Sequence, residues 1–158
     1  GPHTVILVRH AEKDGAQAGN DPALSARGEE RAVELARVLG RAGVTRLVAS
    51  EFQRTRATLA PLAEVNGVAV ETRPARELEA LAAELAAAPA GSVTVVAGHS
   101  NTLPALAERL GAPLPGLARG ASLGEQEYDR MFVLTVGLAP QGTGGATALA
   151  FELRYGAP

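Results

Sequence analysis

The sequence predicts an α/β fold: one three-layer domain with a central, mostly parallel β-sheet, an antiparallel end strand, and helices on both faces. Three observations predict it. Two runs, Thr4–Val8 and Ser92–Ala97, are dense in β-branched aliphatic residues and read as strands buried on both faces. Segments with apolar residues at a 3.6-residue period alternate with these and other short apolar runs. The last two strand candidates, Met131–Val136 and Ala148–Arg154, are joined through the flexible Gln141-Gly142-Thr143-Gly144-Gly145, as an antiparallel end pair would be.

The elements follow in order. After the first strand, Asp14–Asn20 is rich in small and polar residues and reads as a loop. Ser25 is a candidate N-cap for a helix carrying Ala32, Leu35, Ala36 and Leu39, with Glu29 and Glu30 suited to its positive end and Gly40 or Gly43 to its stop. A short strand, Arg46–Ala49, leads to Ser50–Arg54 and a second helix with Leu59, Leu62 and Val65, stopping at Asn66-Gly67. Pro61 is expected to kink or interrupt it. Val68–Glu71 is a further brief strand. Leu78, Leu81, Ala82 and Leu85 mark a third helix, ended by Pro89-Ala90-Gly91. After the Val93–Ala97 strand, Leu103, Leu106, Ala107 and Leu110 mark a fourth helix, and Gly111–Gly120 reads as loop.

Composition narrows the function classes. The 158 residues suit one domain over 1–158, with residues 1–3 (Gly-Pro-His) set aside as a tag remnant or trimmed leader. Hydrophobic residues make up 46% but aromatics only 3%, so the core must be packed from Val, Leu, Ile and Ala. A net charge of -2 argues against general nucleic-acid affinity. The absence of Cys removes disulfides, thiolate metal sites and cysteine nucleophiles. No apolar run approaches the ~18 residues of a membrane span. The expected location is cytoplasmic by default, or exported if an N-terminal signal has been removed.

The candidate chemistry sits just beyond the strands. Arg9 and His10 follow the first strand, and His99 follows Val93–Ala97. In open α/β sheets, ligands bind outside the carboxyl ends of the strands. Two imidazoles delivered to equivalent positions, one beside an Arg, suggest a shared anion site. Arginine's planar fork matches paired phosphate oxygens. There is no His-x-x-x-His or Glu-x-x-His spacing, and a cation would compete with the arginines, so no metal or other cofactor is expected.

Val8-Arg9-His10-Ala11-Glu12-Lys13, Ser50-Glu51-Phe52-Gln53-Arg54 and Gly98-His99-Ser100 resemble, in this order, the motifs of the histidine phosphatase superfamily, also called phosphoglycerate mutase-like. Ala11 stands where that family's Arg-His-Gly signature has Gly. The resemblance spans nearly the whole chain. It implies a metal-independent phosphomonoester hydrolase in which His10 forms a phosphohistidine that water then hydrolyses. By the same resemblance Arg9 and Arg54 are the clamps. The Ser-x-x-x-Arg spacing from Ser50 selects Arg54 over Arg56, which lies about 200° away around a helix. His99 is then a second oxyanion donor, and Glu77 the acid that protonates the leaving group, with Glu79 as runner-up and Glu12 third. Lys13, Asn101 and Glu79 are candidate substrate contacts, though capping explains Asn101 and its neighbour Thr102 equally well. The implied partner is a small phosphorylated substrate or a phosphoprotein, with inorganic phosphate as product. A protein phosphohistidine phosphatase of the same fold is the alternative. A phosphosugar mutase fits less well, because only one helix fits between Glu77 and Val93. The intact Arg9, His10, Arg54 and His99 set argues against a non-catalytic phosphate-binding module.

Overall fold

A computed structural model describes residues 1–17, 19–138 and 147–158; the Gln141–Gly145 connection lies outside them. Among the described residues, six strands form one sheet: β1 (His3–Arg9), β2 (Arg46–Ala49), β3 (Val70–Thr72), β4 (Val93–Gly98), β5 (Arg130–Val136) and β6 (Ala148–Arg154). Their order across the sheet is β3-β2-β4-β1-β5-β6. β3, β2, β4 and β1 are mutually parallel, β5 runs antiparallel to β1, and β6 runs antiparallel to β5. The antiparallel pair therefore lies at one end, and its reversed member is β5.

Four helices, α1 (Ala26–Leu39), α2 (Gln53–Asn66), α3 (Leu78–Ala86) and α4 (Thr102–Arg109), cover the sheet. Successive side chains of a strand point to opposite faces. Val5 and Leu7 accordingly pack with Leu81, Leu85, Leu103 and Leu106 of α3 and α4. Ile6 and Val8 pack with Leu35, Leu39, Leu59 and Leu62 of α1 and α2. This explains why β1 is an unbroken aliphatic run: both of its faces are core.

Ser25 caps α1 by accepting the Gly28 N–H at 3.1 Å. A Cβ on Gly28 would lie 2.1 Å from the Glu12 carbonyl oxygen, so glycine lets α1 seat against the chain just after β1. Gly67 ends α2 with φ 65°, a left-handed cap.

Four sequence expectations change. α2 runs unbroken through Pro61, because the fully buried Leu59 and Leu62 on either side hold the helix by packing. Val65 is 62% exposed and lies outside the core. The third strand sits later than expected, at Val70–Thr72. His3 is the first residue of β1, buried and paired with Val136, so it belongs to the sheet.

The register sets up the site. Arg9 lies beside Gly98, and Ala49 beside Ala97. The residues that follow β1, β2 and β4 are thus delivered side by side at one sheet edge.

Candidate active site

His10 continues β1 by one residue, and its backbone N–H donates to the Gly98 carbonyl at 2.8 Å. The side chain is buried, and Nδ1 lies 2.8 Å from the Ala11 carbonyl oxygen. A carbonyl only accepts, so Nδ1 carries the proton and the neutral ring keeps its lone pair on Nε2. Burial pushes the His10 pKa down to about 3; the Ala11 hydrogen bond opposes this, and the charges of Arg9 and Arg54 reinforce it. The imidazole is therefore neutral at physiological pH.

His99 stands 5.4 Å from His10 between ring centroids, at an interplanar angle of 59°. Its Nε2 is 2.8 Å from Ser50 Oγ, and Phe52 meets the ring edge-on at 5.3 Å. Burial and the Arg54 charge lower the His99 pKa to about 4, while Glu51 pulls the other way. Its backbone N–H donates to Thr102 Oγ1 at 2.9 Å. A Cβ on the preceding Gly98 would come within 3.0 Å of that hydroxyl, so glycine permits this tight entry to α4.

The two arginines differ in how they are held. Arg9 is 7% exposed; its Nη1 donates toward the carbonyls of Gly124 (3.2 Å), Glu125 (2.7 Å) and Glu127 (3.4 Å), and Tyr128 stacks on it at 4.1 Å. Arg54, in the first turn of α2, is half-buried over the Phe52 ring at 4.5 Å and donates to the Asn20 carbonyl at 3.3 Å. Its charge reaches both imidazoles. Arg56 is exposed. Arg9 Nε and Arg54 Nε are both buried donors without a hydrogen-bond partner.

The carboxylates are placed less centrally. Glu77 is exposed at the N-cap position of α3, and no hydrogen bond links it to either imidazole. Glu79 is exposed and pairs with Arg109 of α4. Glu12 is held by Arg31 at 2.8 and 3.1 Å and by Arg27 at 3.2 Å. Burial raises the Glu12 pKa, but the Arg31 hydrogen bonds outweigh that and keep it an anion. Lys13 and Asn101 are exposed, and Asn101 makes no side-chain cap. Glu51 accepts the Ala75 N–H at 3.0 Å and is the carboxylate whose charge reaches His99. Among the described residues, no group of three or more His, Cys, Asp or Glu could hold a metal.

Sequence reasoning did not foresee Ser50 as a partner of His99, nor Thr58, Glu51 or Tyr128 near the site. Ser50 belonged to a recognised motif, so its place was available as a signal. Tyr128 reaches Arg9 from 119 positions away, which no local pattern encodes. A cavity of about 750 Å³ lies elsewhere, lined by Arg46, Glu71, Glu84 and Thr94 among others, and holds none of the candidate site residues.

Solved structures share this fold. One is assigned as a phosphohistidine phosphatase, SixA, from Nakamurella multipartitia (25% identity; 99% of this chain and 98% of that one; TM-score 0.65). Another is a mycobacterial glucosyl-3-phosphoglycerate phosphatase (19% identity, 100% of both chains, TM-score 0.68). A third is the protein histidine phosphatase SixA complexed with tungstate (17% identity, 96% of both chains, TM-score 0.68). A sequence model of the histidine phosphatase superfamily, branch 1, matches residues 5–78. Over those residues the chain is similar to the histidine phosphatase superfamily. The match takes in Arg9, His10, Arg54 and Glu77, while His99 lies beyond it and is brought beside Arg9 and His10 by the pairing of β4 with β1. No curated protein matches the sequence. No helix among the described residues is long and apolar enough to cross a membrane.

Proposed function

We propose that this protein is a metal-independent phosphomonoester hydrolase of the histidine phosphatase type that works through a phosphohistidine on His10. The observation that carries this reading is the set of two buried, unpartnered guanidinium Nε donors, on Arg9 and Arg54, beside two neutral imidazoles. A buried donor without an acceptor is costly, and a phosphoryl group supplies acceptors on every side. Tungstate, a tetrahedral oxyanion, occupies one structural relative, which agrees with that chemistry.

In this reading Arg9 and Arg54 bind the peripheral oxygens, and His10 Nε2 attacks phosphorus with its lone pair. The bond from phosphorus to the leaving oxygen breaks, and that oxygen takes a proton. Nδ1–H, held by Ala11, stabilises the ring as it acquires positive charge. His99 donates to a phosphoryl oxygen and remains unphosphorylated. Water then attacks phosphorus, the P–N bond breaks, phosphate leaves, and His10 returns to its neutral tautomer. Glu77, on the loop side of α3, supplies the proton to an alkoxide leaving group, and Lys13, Asn101 and Glu79 line the approach to the substrate. The purified chain should release phosphate from p-nitrophenyl phosphate with EDTA present and lose that activity in His10→Ala. Activity retained in His10→Ala would reject the reading.

A second reading is favoured by one observation: the imidazoles hydrogen-bond to the Ala11 carbonyl and to Ser50, and no hydrogen bond joins either of them to Glu12, Glu77 or Glu79. A leaving group that departs without strong acid assistance, such as the imidazole of a phosphohistidine protein, suits that arrangement. Faster turnover of a phosphohistidine peptide than of any alkyl phosphate would select it.

A further inference from the structure

We propose that Tyr128 is a positioning residue that turns Arg9 side-on to the phosphoryl group; this rests on the phosphoryl-transfer reading above. A guanidinium has two faces and a limited set of N–H edges. In this structure the Nη1 edge of Arg9 is already occupied, its two hydrogens shared among the carbonyls of Gly124, Glu125 and Glu127. One face is covered by the Tyr128 ring, 4.1 Å from the guanidinium carbon. Nε is buried and has no partner. What remains for an anion is the edge formed by Nε–H and Nη2–H, which is a fork matched to two oxygens.

Tyr128 also meets His10, edge-on with centroids 6.1 Å apart. One ring therefore touches both the arginine that binds the phosphoryl oxygens and the imidazole that attacks phosphorus. It sets the angle between them.

The segment carrying Tyr128 is itself pinned. Leu123 N–H donates to the Ser100 carbonyl at 2.9 Å, tying the loop to the chain just after His99. Glu127 Oε1 accepts the Gly124 N–H at 2.8 Å, and a Cβ on Gly124 would lie 2.8 Å from that oxygen. Glu127 Oε2 also takes Arg130, whose guanidinium forks onto Glu152 of β6 at 2.7 and 3.1 Å. The carbonyls facing Arg9 are thus held on a stitched turn.

A double-mutant cycle on p-nitrophenyl phosphate, with orthovanadate inhibition measured in parallel, tests this. Tyr128→Ala should lower kcat/KM and weaken vanadate binding by about tenfold, and Tyr128→Phe should restore both to within about twofold. In an Arg9→Ala background, Tyr128→Ala should cause no further loss, because its effect runs through Arg9. Equal losses in both backgrounds, or a Phe variant as poor as Ala, would overturn the assignment. Matching circular dichroism and thermal midpoints for the Tyr128→Ala variant and the wild type separate positioning from folding. If the wild-type chain neither binds vanadate nor turns over, the phosphoryl-transfer reading itself fails, and this assignment with it.

Discussion

Thr58 Oγ1 accepts the backbone N–H of Ala11 at 2.8 Å and donates its own hydrogen to the Arg54 carbonyl at 2.7 Å. One buried hydroxyl therefore ties the turn that carries His10 to the helix turn that carries Arg54. Replacing it with valine keeps the volume but strands a buried N–H, at a cost of about 1–3 kcal/mol. Thr58→Val should lower the thermal midpoint and cut kcat/KM by about tenfold, while Thr58→Ser recovers most of both. An unchanged Thr58→Val enzyme would show that the two elements are held by other contacts.

The two arginines near the start of α2 should behave differently. Arg54 is half-buried with its charge reaching both imidazoles, whereas Arg56 is exposed. Arg54→Ala should weaken orthovanadate inhibition by roughly tenfold to a hundredfold, the range expected for hydrogen bonds to a charged group. Arg56→Ala should change it by less than about twofold. Equal effects on inhibition would move the clamp away from Arg54.

The pH dependence follows from burial. His10 has its pKa lowered from 6.5 to about 3, and His99 from 6.5 to about 4. The unfolded chain takes up these protons as pH falls below 6.5, and the folded chain resists until near 3 and 4. Stability is therefore highest above pH 6.5 and declines as pH falls through that window. His10→Asn should flatten the decline by about 1.4 kcal/mol per pH unit, one proton's worth. For activity, kcat/KM should hold level from neutral pH down to about 4 once the substrate's own ionisation is divided out. An acid limb near 6.5 that disappears with His10 would contradict the neutral, buried nucleophile.

Leaving-group dependence tests the acid. Glu77→Gln should slow alkyl phosphates far more than p-nitrophenyl phosphate, whose phenolate leaves without help. The same selective loss in Glu79→Gln would move the role there, although Glu79 is engaged with Arg109.

The parts legible in the sequence were those written by local pattern. Val5–Val8 and Val93–Ala97 are core on both faces, so their aliphatic runs announce central strands, and the polar residues that follow them announce a sheet-edge site. Ser25, Leu35 and Leu39 likewise marked α1 by capping and period. Pro61 misled because local propensity is weaker than the packing of Leu59 and Leu62. His3 was set aside because a short leader reads as dispensable, whereas its pairing with Val136 joins residues 133 positions apart. The same distance problem hid Tyr128 and the carbonyls around Arg9. The carboxylates were hardest, because a glutamate's neighbours are decided by loops: Glu12 meets Arg31, Glu79 meets Arg109, and Glu51 lies near His99.

The most direct test is to find where the phosphorus goes. Both imidazoles are neutral and 5.4 Å apart, so either could attack. Only His10 has a tautomer fixed by a carbonyl and an Arg as its chain neighbour. The enzyme should be quenched in alkali during turnover, since acid hydrolyses phosphohistidine, and its peptides then read by mass spectrometry. Phosphate is expected on the peptide containing His10, in the presence of EDTA, absent from His10→Ala, and formed more slowly but still present in His99→Ala. Phosphate on His99, or activity that vanishes on chelation and returns with a divalent metal, would contradict a phosphohistidine on His10.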